Sequence, residues 1–458
     1  MSQRLRVKLL CSAAMIESVL IAERGEAAAR VARSCKRLGI RVVGLRGDDS
    51  SSGVHVAACD ETLTVATGAD GRIPAEAVAA AAIEAKVQVV HPGHAGARGQ
   101  LALAKALAET SIGLVGPSLE SLARLASPSS VREAVAEAGL TQPACSEPFG
   151  GDDDPRPFAA QLPAPWTVRA ADAETDPFAT PLVDEDDLFA EVVKRTRGND
   201  VALVVEQAYH RSRVLEVPVL VDQAGTQEPL PERECSITVS GQRLLEESPS
   251  PALVFHGEGE AIRGFLLEAA CAVTRALGAT GLLLVRFALD TDGRLTVIKM
   301  RPGLPVQDAI TGMTTGLDLV EFQLEIAAGR PLAARVTEVE PTGHGCGAWL
   351  VAPSNETFDA VVEELRWPPF PQGKVRTEPS ASVGSTVPPD DRPRIAKITT
   401  YAPTRHQALL LLDRVLTESR VAPYQTNQRL LGQIIGDEAF RAGRYDTEFV
   451  RRLLTTPP

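Results

Sequence analysis

The sequence predicts a chain in three parts, α/β at its start and α+β beyond. Two observations lead there. Apolar runs of strand length alternate with helically spaced apolar residues through the first third, and a Pro-, Gly- and Asp-rich stretch at 146–165 precedes a mixture of strands and helices. The length of 458 residues agrees, since it allows about two to four domains with ample core.

The elements follow in order. Val19, Leu20, Ile21 and Ala22 form a short buried-strand run. Residues 26–38 carry Ala27, Val31, Cys35 and Leu38 at helical spacing, with Gly39 as the stop. Residues 41–45 are the next strand, so the unit is βαβ and its sheet should be parallel. A helix at 75–86, a strand at 87–90, a helix at 100–110 and a strand at 113–116 continue the alternation. The topology is Rossmann-like. The turn Glu23-Arg24-Gly25-Glu26 is not G-x-G-x-x-G, which argues against a dinucleotide. Ser130 and Glu133 have capping-box spacing and predict a helix that opens there and ends near Gly139. The stretch 146–165 reads as a surface segment between domains or subdomains. Beyond it, 201–205, 214–221 and 281–289 read as strands, as does 295–300 after the turn Asp292-Gly293. Residues 318–328 are a helix stopped by Gly329. A last unit begins near Gly343 and ends in helices at 406–418 and 426–435.

Composition narrows the function classes. Hydrophobic residues make up 44% and aromatics 4%, so the cores must be aliphatic and alanine-rich. A net charge of −12 argues against nucleic acid and anionic membrane as main partners. No uncharged apolar run approaches the ~20 residues of a membrane span. The apolar patch at 9–16 follows basic residues and weakly mimics a secretory signal, but it is short and a strand follows at once. It reads as a start-site extension or frayed terminus. Seven Cys without a C-x-x-C pair fit thiols of a reducing cytoplasm. No His/Cys cluster has zinc spacing.

Several strings then occur in order. They are Ile21-Ala22-Glu23-Arg24-Gly25-Glu26, Cys35-Lys36-Arg37-Leu38-Gly39-Ile40, His91-Pro92-Gly93, Val115-Gly116-Pro117, Glu234-Cys235-Ser236, Glu246-Glu247-Ser248-Pro249 and Ile310-Thr311-Gly312-Met313-Thr314-Thr315-Gly316-Leu317-Asp318-Leu319. With these strings the chain resembles the biotin carboxylase family of ATP-grasp enzymes, the ATP-using subunits or domains of acyl-CoA carboxylases and pyruvate carboxylase. Glu23 stands where that family has Asn. The resemblance runs from about residue 19 to 453. It implies an N-terminal extension at 1–17, a Rossmann-like pre-ATP-grasp domain at 18–128, an ATP-grasp domain at 129–335 and a C-terminal biotin-carboxylase-type domain at 336–458.

The same resemblance places the site, and there the chain departs from it. The family's two Mg²⁺ carboxylates, in T-F-E-F and F-I-E-M-N, correspond to Arg286 and Lys299, and the Asn to Arg301. A cation repels the metal it would have to ligate. The other reading of Arg286, Lys299 and Arg301 is direct phosphate binding. In R-x-Q-V-E-H the Arg becomes Gly303 and the general-base Glu becomes Gln307, an amide that cannot take a proton from bicarbonate. The first phosphate Lys becomes Arg169, and the glycine-rich lid after it becomes a Gly-free loop with Asp172, Glu174 and Asp176. Pro128 replaces a second phosphate Lys, and Arg243 replaces a third with its charge kept. Val214 replaces a His, with Glu216 retained. Glu206 matches the adenine-side Glu, or else faces solvent at a strand end. Arg376 matches an Arg near biotin, or else is a fold-stabilising ion-pair partner. Lys397 persists, while the neighbouring Asp is Arg392.

Arg30 and Arg33 lie on a helix that matches a subunit-contact helix, where Arg37 replaces a Glu, so a homodimer would be altered or lost. No A-M-K-M string occurs, so no covalent biotin is expected. The expectation is a cytoplasmic pseudo-enzyme, structural or regulatory, in an acyl-CoA carboxylase assembly. No confident cofactor or metal is implied. Its partners would be a biotin carboxyl carrier, a carboxyltransferase or an active biotin carboxylase. Two alternatives stand: an active ATP- and Mg-dependent carboxylase or ligase with a rebuilt site, using Arg169, Arg243, Arg286 and Lys299, and an anion- or nucleotide-binding sensor.

Overall fold

A strand of four buried residues, Ser18–Ile21, forms the centre of the first sheet. The computed structural model describes residues 16–47, 53–68, 72–150, 153–171, 182, 184–196, 202–209, 211–239, 242–332, 338–352, 361–386 and 394–455. In the first sheet Arg41–Gly47 and Val89–His91 flank the central strand, with Glu61–Val65 and Gly113–Leu114 at the edges, all parallel. Val19 and Ile21 pack on one face against the helix Gly25–Arg37. Leu20, Val43, Leu45 and Val90 pack on the other against the helices Ala75–Glu84 and Ala97–Leu107. Burial on both faces is why these strands read as continuous apolar runs. This is the predicted Rossmann-like unit, with the strand Glu61–Val65 and the helix Leu119–Leu125 added to it.

The second sheet is antiparallel and passes from the middle of the chain into its last part. In spatial order its strands are Leu295–Pro302, Gly281–Leu289, Arg213–Val221, Arg233–Val239, Gln242–Ser248, His344–Val351, Arg394–Ala402 and Val375–Pro379, with Gln227–Pro229 joined to Arg213–Val221. Its first half rests on the 19-residue helix Gly259–Leu277, which buries Leu266, Ala270, Val273 and Leu277. That helix is absent from the predicted elements, although those residues are helically spaced. Its second half is covered by Arg405–Glu418 and Gln428–Gly436, close to the predicted spans.

Two local expectations are corrected. The helix predicted from Ser130 begins at Pro128 and runs to Glu137, and its cap is Ser127, whose hydroxyl accepts the Ser130 N–H. A proline at the first helical position needs no N–H partner, so the earlier start costs nothing. The stretch 146–165 is not merely a surface segment. Phe149 bridges to Leu203, stacks on Phe158 at 4.6 Å and enters a small core with Val168, Leu188 and Val205. That core belongs to a two-stranded unit, Trp166–Ala170 paired with Leu203–Gln207, under the helix Glu185–Thr196. The Gly-free loop with Asp172, Glu174 and Asp176, residues 1–15 of the expected extension 1–17, and Arg392 lie outside the described residues. Among the described residues no helix is long and apolar enough to cross a membrane.

Candidate functional site

Sheet register builds the centre of the site. Arg233 lies opposite Glu216, Glu216 opposite Arg286, and Arg286 opposite Lys299, so one row of charge crosses four adjacent strands. Directly opposite residues on one sheet face touch. Glu216 is fully buried and accepts hydrogen bonds from Arg233, from Arg286 and, at 3.0 Å, from Arg243 Nη2. Arg243 also donates to Glu246 at 3.1 Å, and Arg233 donates to the Thr311 hydroxyl at 3.3 Å. Burial alone would raise the pKa of Glu216, but Arg243, Arg233 and Arg301 outweigh it and hold the carboxyl below its ordinary value. Arg286 and Arg243, both candidate anion binders, therefore already carry an internal anion. Arg301 also donates to the backbone oxygen of His94 at 2.8 Å. The sequence reading missed Arg233, the most buried member of the row. Its signal was available, since a charged residue opening a strand of inward positions needs a partner.

Arg169 and Glu206 come together, which corrects the solvent-facing reading of Glu206. Glu206 is fully buried and forms a bidentate pair with Arg169, Nε to Oε2 at 3.2 Å and Nη2 to Oε1 at 3.0 Å, with Arg132 3.7 Å away. The strands Trp166–Ala170 and Leu203–Gln207 put Thr167 opposite Glu206, so Arg169 meets it diagonally.

Gly303 has φ of +99°, and a Cβ there would stand 2.7 Å from Gln100 Nε2. Gln100 is buried and donates to Ala95 at 2.8 Å, so it occupies the space beside this glycine. Gln307 is 1% exposed, and its Nε2 has no hydrogen-bond partner among the described residues. Its Oε1 receives only a long contact from Thr399, 3.5 Å.

Arg376 is an ion-pair residue here. Its Nε and Nη2 donate to Glu378 at 3.1 and 2.8 Å. Glu378 also takes Arg33 and, at 3.2 Å, the buried Lys397, which lies opposite it on the next strand. Burial would raise the Glu378 pKa, yet Lys397 and the arginines bring it down. Arg30, placed on the predicted subunit-contact helix, is buried inside the chain and donates to Asp308 at 2.6 Å and Asp318 at 2.9 Å. Arg37 pairs with Asp318 of the same chain. At the start of that helix, burial and the Glu26 charge push the Glu23 carboxyl up to about 7. His94, across the same junction, is held neutral by burial and by Lys397, and its Nε2 has no partner among the described residues.

One group of the described residues, Glu247, His344 and Cys346, stands within ligating reach of one another. Both Glu247 oxygens are already used, by Arg405 (2.6 and 2.9 Å), the Tyr445 hydroxyl (2.6 Å) and His344 (2.7 Å), so the group reads as a structural knot.

A parallel-sheet domain, an antiparallel sheet with a small two-stranded appendage, and a last domain continuing that sheet make up the layout of an ATP-grasp carboxylase subunit. Residues 15–122 match the biotin carboxylase N-terminal domain, 129–335 the carbamoyl-phosphate synthase L chain ATP-binding domain and 359–452 the biotin carboxylase C-terminal domain. Biotin carboxylase of Halalkalibacterium halodurans is 30% identical over 446 residues, covering 95% of this chain and 97% of that protein. The alpha subunit of mitochondrial methylcrotonoyl-CoA carboxylase from Rattus norvegicus is 28% identical over 451 residues, 95% of this chain and 62% of its own length. Among solved structures, the biotin carboxylase domain dimer of Hydrogenobacter thermophilus 2-oxoglutarate carboxylase, in complex with MgADP, ADP and bicarbonate, superposes with a TM-score of 0.85. It is 25% identical, over 96% of this chain and 98% of that one. The chain belongs to the biotin carboxylase family.

Proposed function

We propose that the chain is a biotin carboxylase-like subunit that does not itself carboxylate biotin and that has a structural or regulatory role in an acyl-CoA carboxylase-type assembly. The row Arg233, Glu216, Arg286, Lys299 carries this reading. Where the family needs carboxylates for Mg²⁺, the chain has a guanidinium and an ammonium, and the guanidinium is held by a buried carboxylate. Cations supply no lone pair to a metal, and the repulsion between unit charges about 4 Å apart is roughly 4 kcal/mol at an effective dielectric near 20. Mg²⁺ does not fit these side chains. Two further losses agree: Gln307 cannot act as a base, and Gly303 offers no guanidinium for an anion. The rebuilt-enzyme reading is weaker because Arg169 is engaged by Glu206, and Arg243 and Arg286 by Glu216. The partners are other carboxylase subunits: a biotin carboxyl carrier, a carboxyltransferase or an active biotin carboxylase.

The test is ADP release in the presence of Mg-ATP, bicarbonate and free biotin, with an active family member as reference. The expected rate is that of the protein-free control, and bicarbonate- and biotin-dependent turnover would sink the proposal. Thermal melting with Mg-ATP is the companion measurement. Specific binding at 100 times the dissociation constant would add about 2.7 kcal/mol, and no shift is expected. Affinity capture from the native host should recover carboxylase subunits.

A further inference from the structure

A basic depression of about 220 Å³ lies where the middle and last parts of the chain meet. Two turns are clamped together to form it. Thr447 N–H donates to Ser212 O at 3.0 Å, and Arg213 Nη1 donates to Gly443 O at 2.8 Å. The Arg213 guanidinium also stacks on the Tyr445 ring, 4.0 Å from its centroid. Four arginines, Arg211, Arg213, Arg444 and Arg452, face the depression against two acids, Asp290 and Asp446. The balance is positive on a chain of net charge −12.

The four are not equivalent. Arg213 is paired with Glu234 and Arg452 with Asp446, at 3.0 and 2.9 Å. Asp290 Oδ1 is committed to its own turn, accepting the N–H groups of Asp292 and Arg294 at 2.9 Å each. Arg211 and Arg444 have no acidic partner among the described residues. Arg211 sits at φ of +56°, a conformation that L residues rarely adopt, and is exposed. The Thr447 hydroxyl, shielded from solvent beside these turns, has no hydrogen-bond partner among the described residues. Two uncommitted guanidinium forks suit a tetrahedral dianion, whose several oxygens can accept from both forks at once. A carboxylate has oxygens for one fork only.

We propose that this depression is a binding site for a phosphate group, presented as a phosphomonoester or as inorganic phosphate, held mainly by Arg211 and Arg444. The proposal does not depend on whether the family site is catalytic. Its ligand would bridge the middle and last domains and so favour their observed contact.

The experiment is equilibrium binding of radiolabelled inorganic phosphate to the full chain at fixed ionic strength, with glycerol phosphate as competitor. Saturable binding of one phosphate per chain is expected. Arg211→Ala with Arg444→Ala should weaken it by about 100-fold, at about tenfold for each charge-assisted contact. Arg444→Glu should abolish it; Arg444 is exposed, so this variant keeps the fold. Arg195→Ala, on the remote helix Glu185–Thr196, should bind as the unmodified chain does. Stronger competition by glycerol phosphate than by unlabelled phosphate would identify the ester as the ligand, and the reverse would identify the free ion. Absence of saturable binding, or binding that survives Arg444→Glu, overturns the proposal. So does binding lost in Lys299→Ala, which would move the phosphate to the Glu216 row.

Discussion

Replacing Glu216 by Gln removes the one carboxylate on which Arg233, Arg243 and Arg286 converge. Within the directly bonded group of Arg233, Arg243, Arg286, Glu216 and Glu246, three cations face two anions, a net charge of one positive, with the half-buried Lys299 and Arg301 outside it. Glu216→Gln raises that to two positive, whereas Arg286→Met lowers it to zero. Each lost attraction at about 4 Å is worth roughly 4 kcal/mol at an effective dielectric near 20. Part of the loss is regained because an amide has no charge to desolvate, and buried pairs broken from one side typically cost about 3–5 kcal/mol net. Glu216→Gln should cost that much, and Arg286→Met less than about 1 kcal/mol, since a methionine fills similar volume and leaves the cluster neutral. The effect is confined to one sheet of a multi-domain chain, so a local readout separates the two variants more directly than a global midpoint. Hydrogen–deuterium exchange of the strands Arg213–Val221 and Gly281–Leu289 reports local opening directly. If Arg286→Met opens these strands as much as Glu216→Gln does, the row is not a charge-balanced structural unit and the reasoning fails.

Further outcomes follow from other sites. Glu23, with a pKa of about 7 against an ordinary 4.5, is protonated in the folded chain and ionised in the unfolded one between those values. Stability therefore falls as pH rises through this window and levels off above it. Glu23→Gln should gain up to about 3 kcal/mol at pH 8 and nothing at pH 4, as read by melting temperature against pH; an equal gain at both would refute the assignment. Gly303→Ala brings a Cβ to 2.7 Å from Gln100 at φ of +99°, so a loss of about 1–3 kcal/mol is expected in denaturant unfolding. Gln100→Ala should relieve the clash. Of the described cysteines, Cys35, Cys59, Cys235 and Cys346 are buried with thiols raised by that burial, so a disulfide reagent should reach Cys145 and Cys271 first. Rapid native labelling of Cys235 or Cys346 would contradict the packing.

The parallel first sheet was legible because its strands are buried on both faces and its helices carry a 3.6-residue period, both local signals. The helix Gly259–Leu277 was passed over despite its own periodicity, and the start of Pro128–Glu137 was misplaced because two overlapping serine caps compete within three residues. At the site, the change of charge at 286 and 299, the amide at 307 and the glycine at 303 were readable from the order of the strings alone. Arg376 could be read as an ion-pair residue or as a ligand contact, and only Glu378 and Lys397 across the strand settled its geometry.

Residue identity and short-range spacing were enough for the family, for most of the order of elements and for the charges at the positions that the resemblance aligns with the family's reacting groups. What each charge does was decided only by the tertiary structure. Glu216 and Arg286 lie on strands brought side by side by a register that no local signal specifies, and Arg169 meets Glu206 in the same way. Burial then makes that pairing compulsory, since an unpaired charge out of water costs several kcal/mol more than a partnered one. Arg169, Arg243 and Arg286, which could be read as phosphate ligands in the linear chain, are, once folded, the counter-ions of its own buried carboxylates.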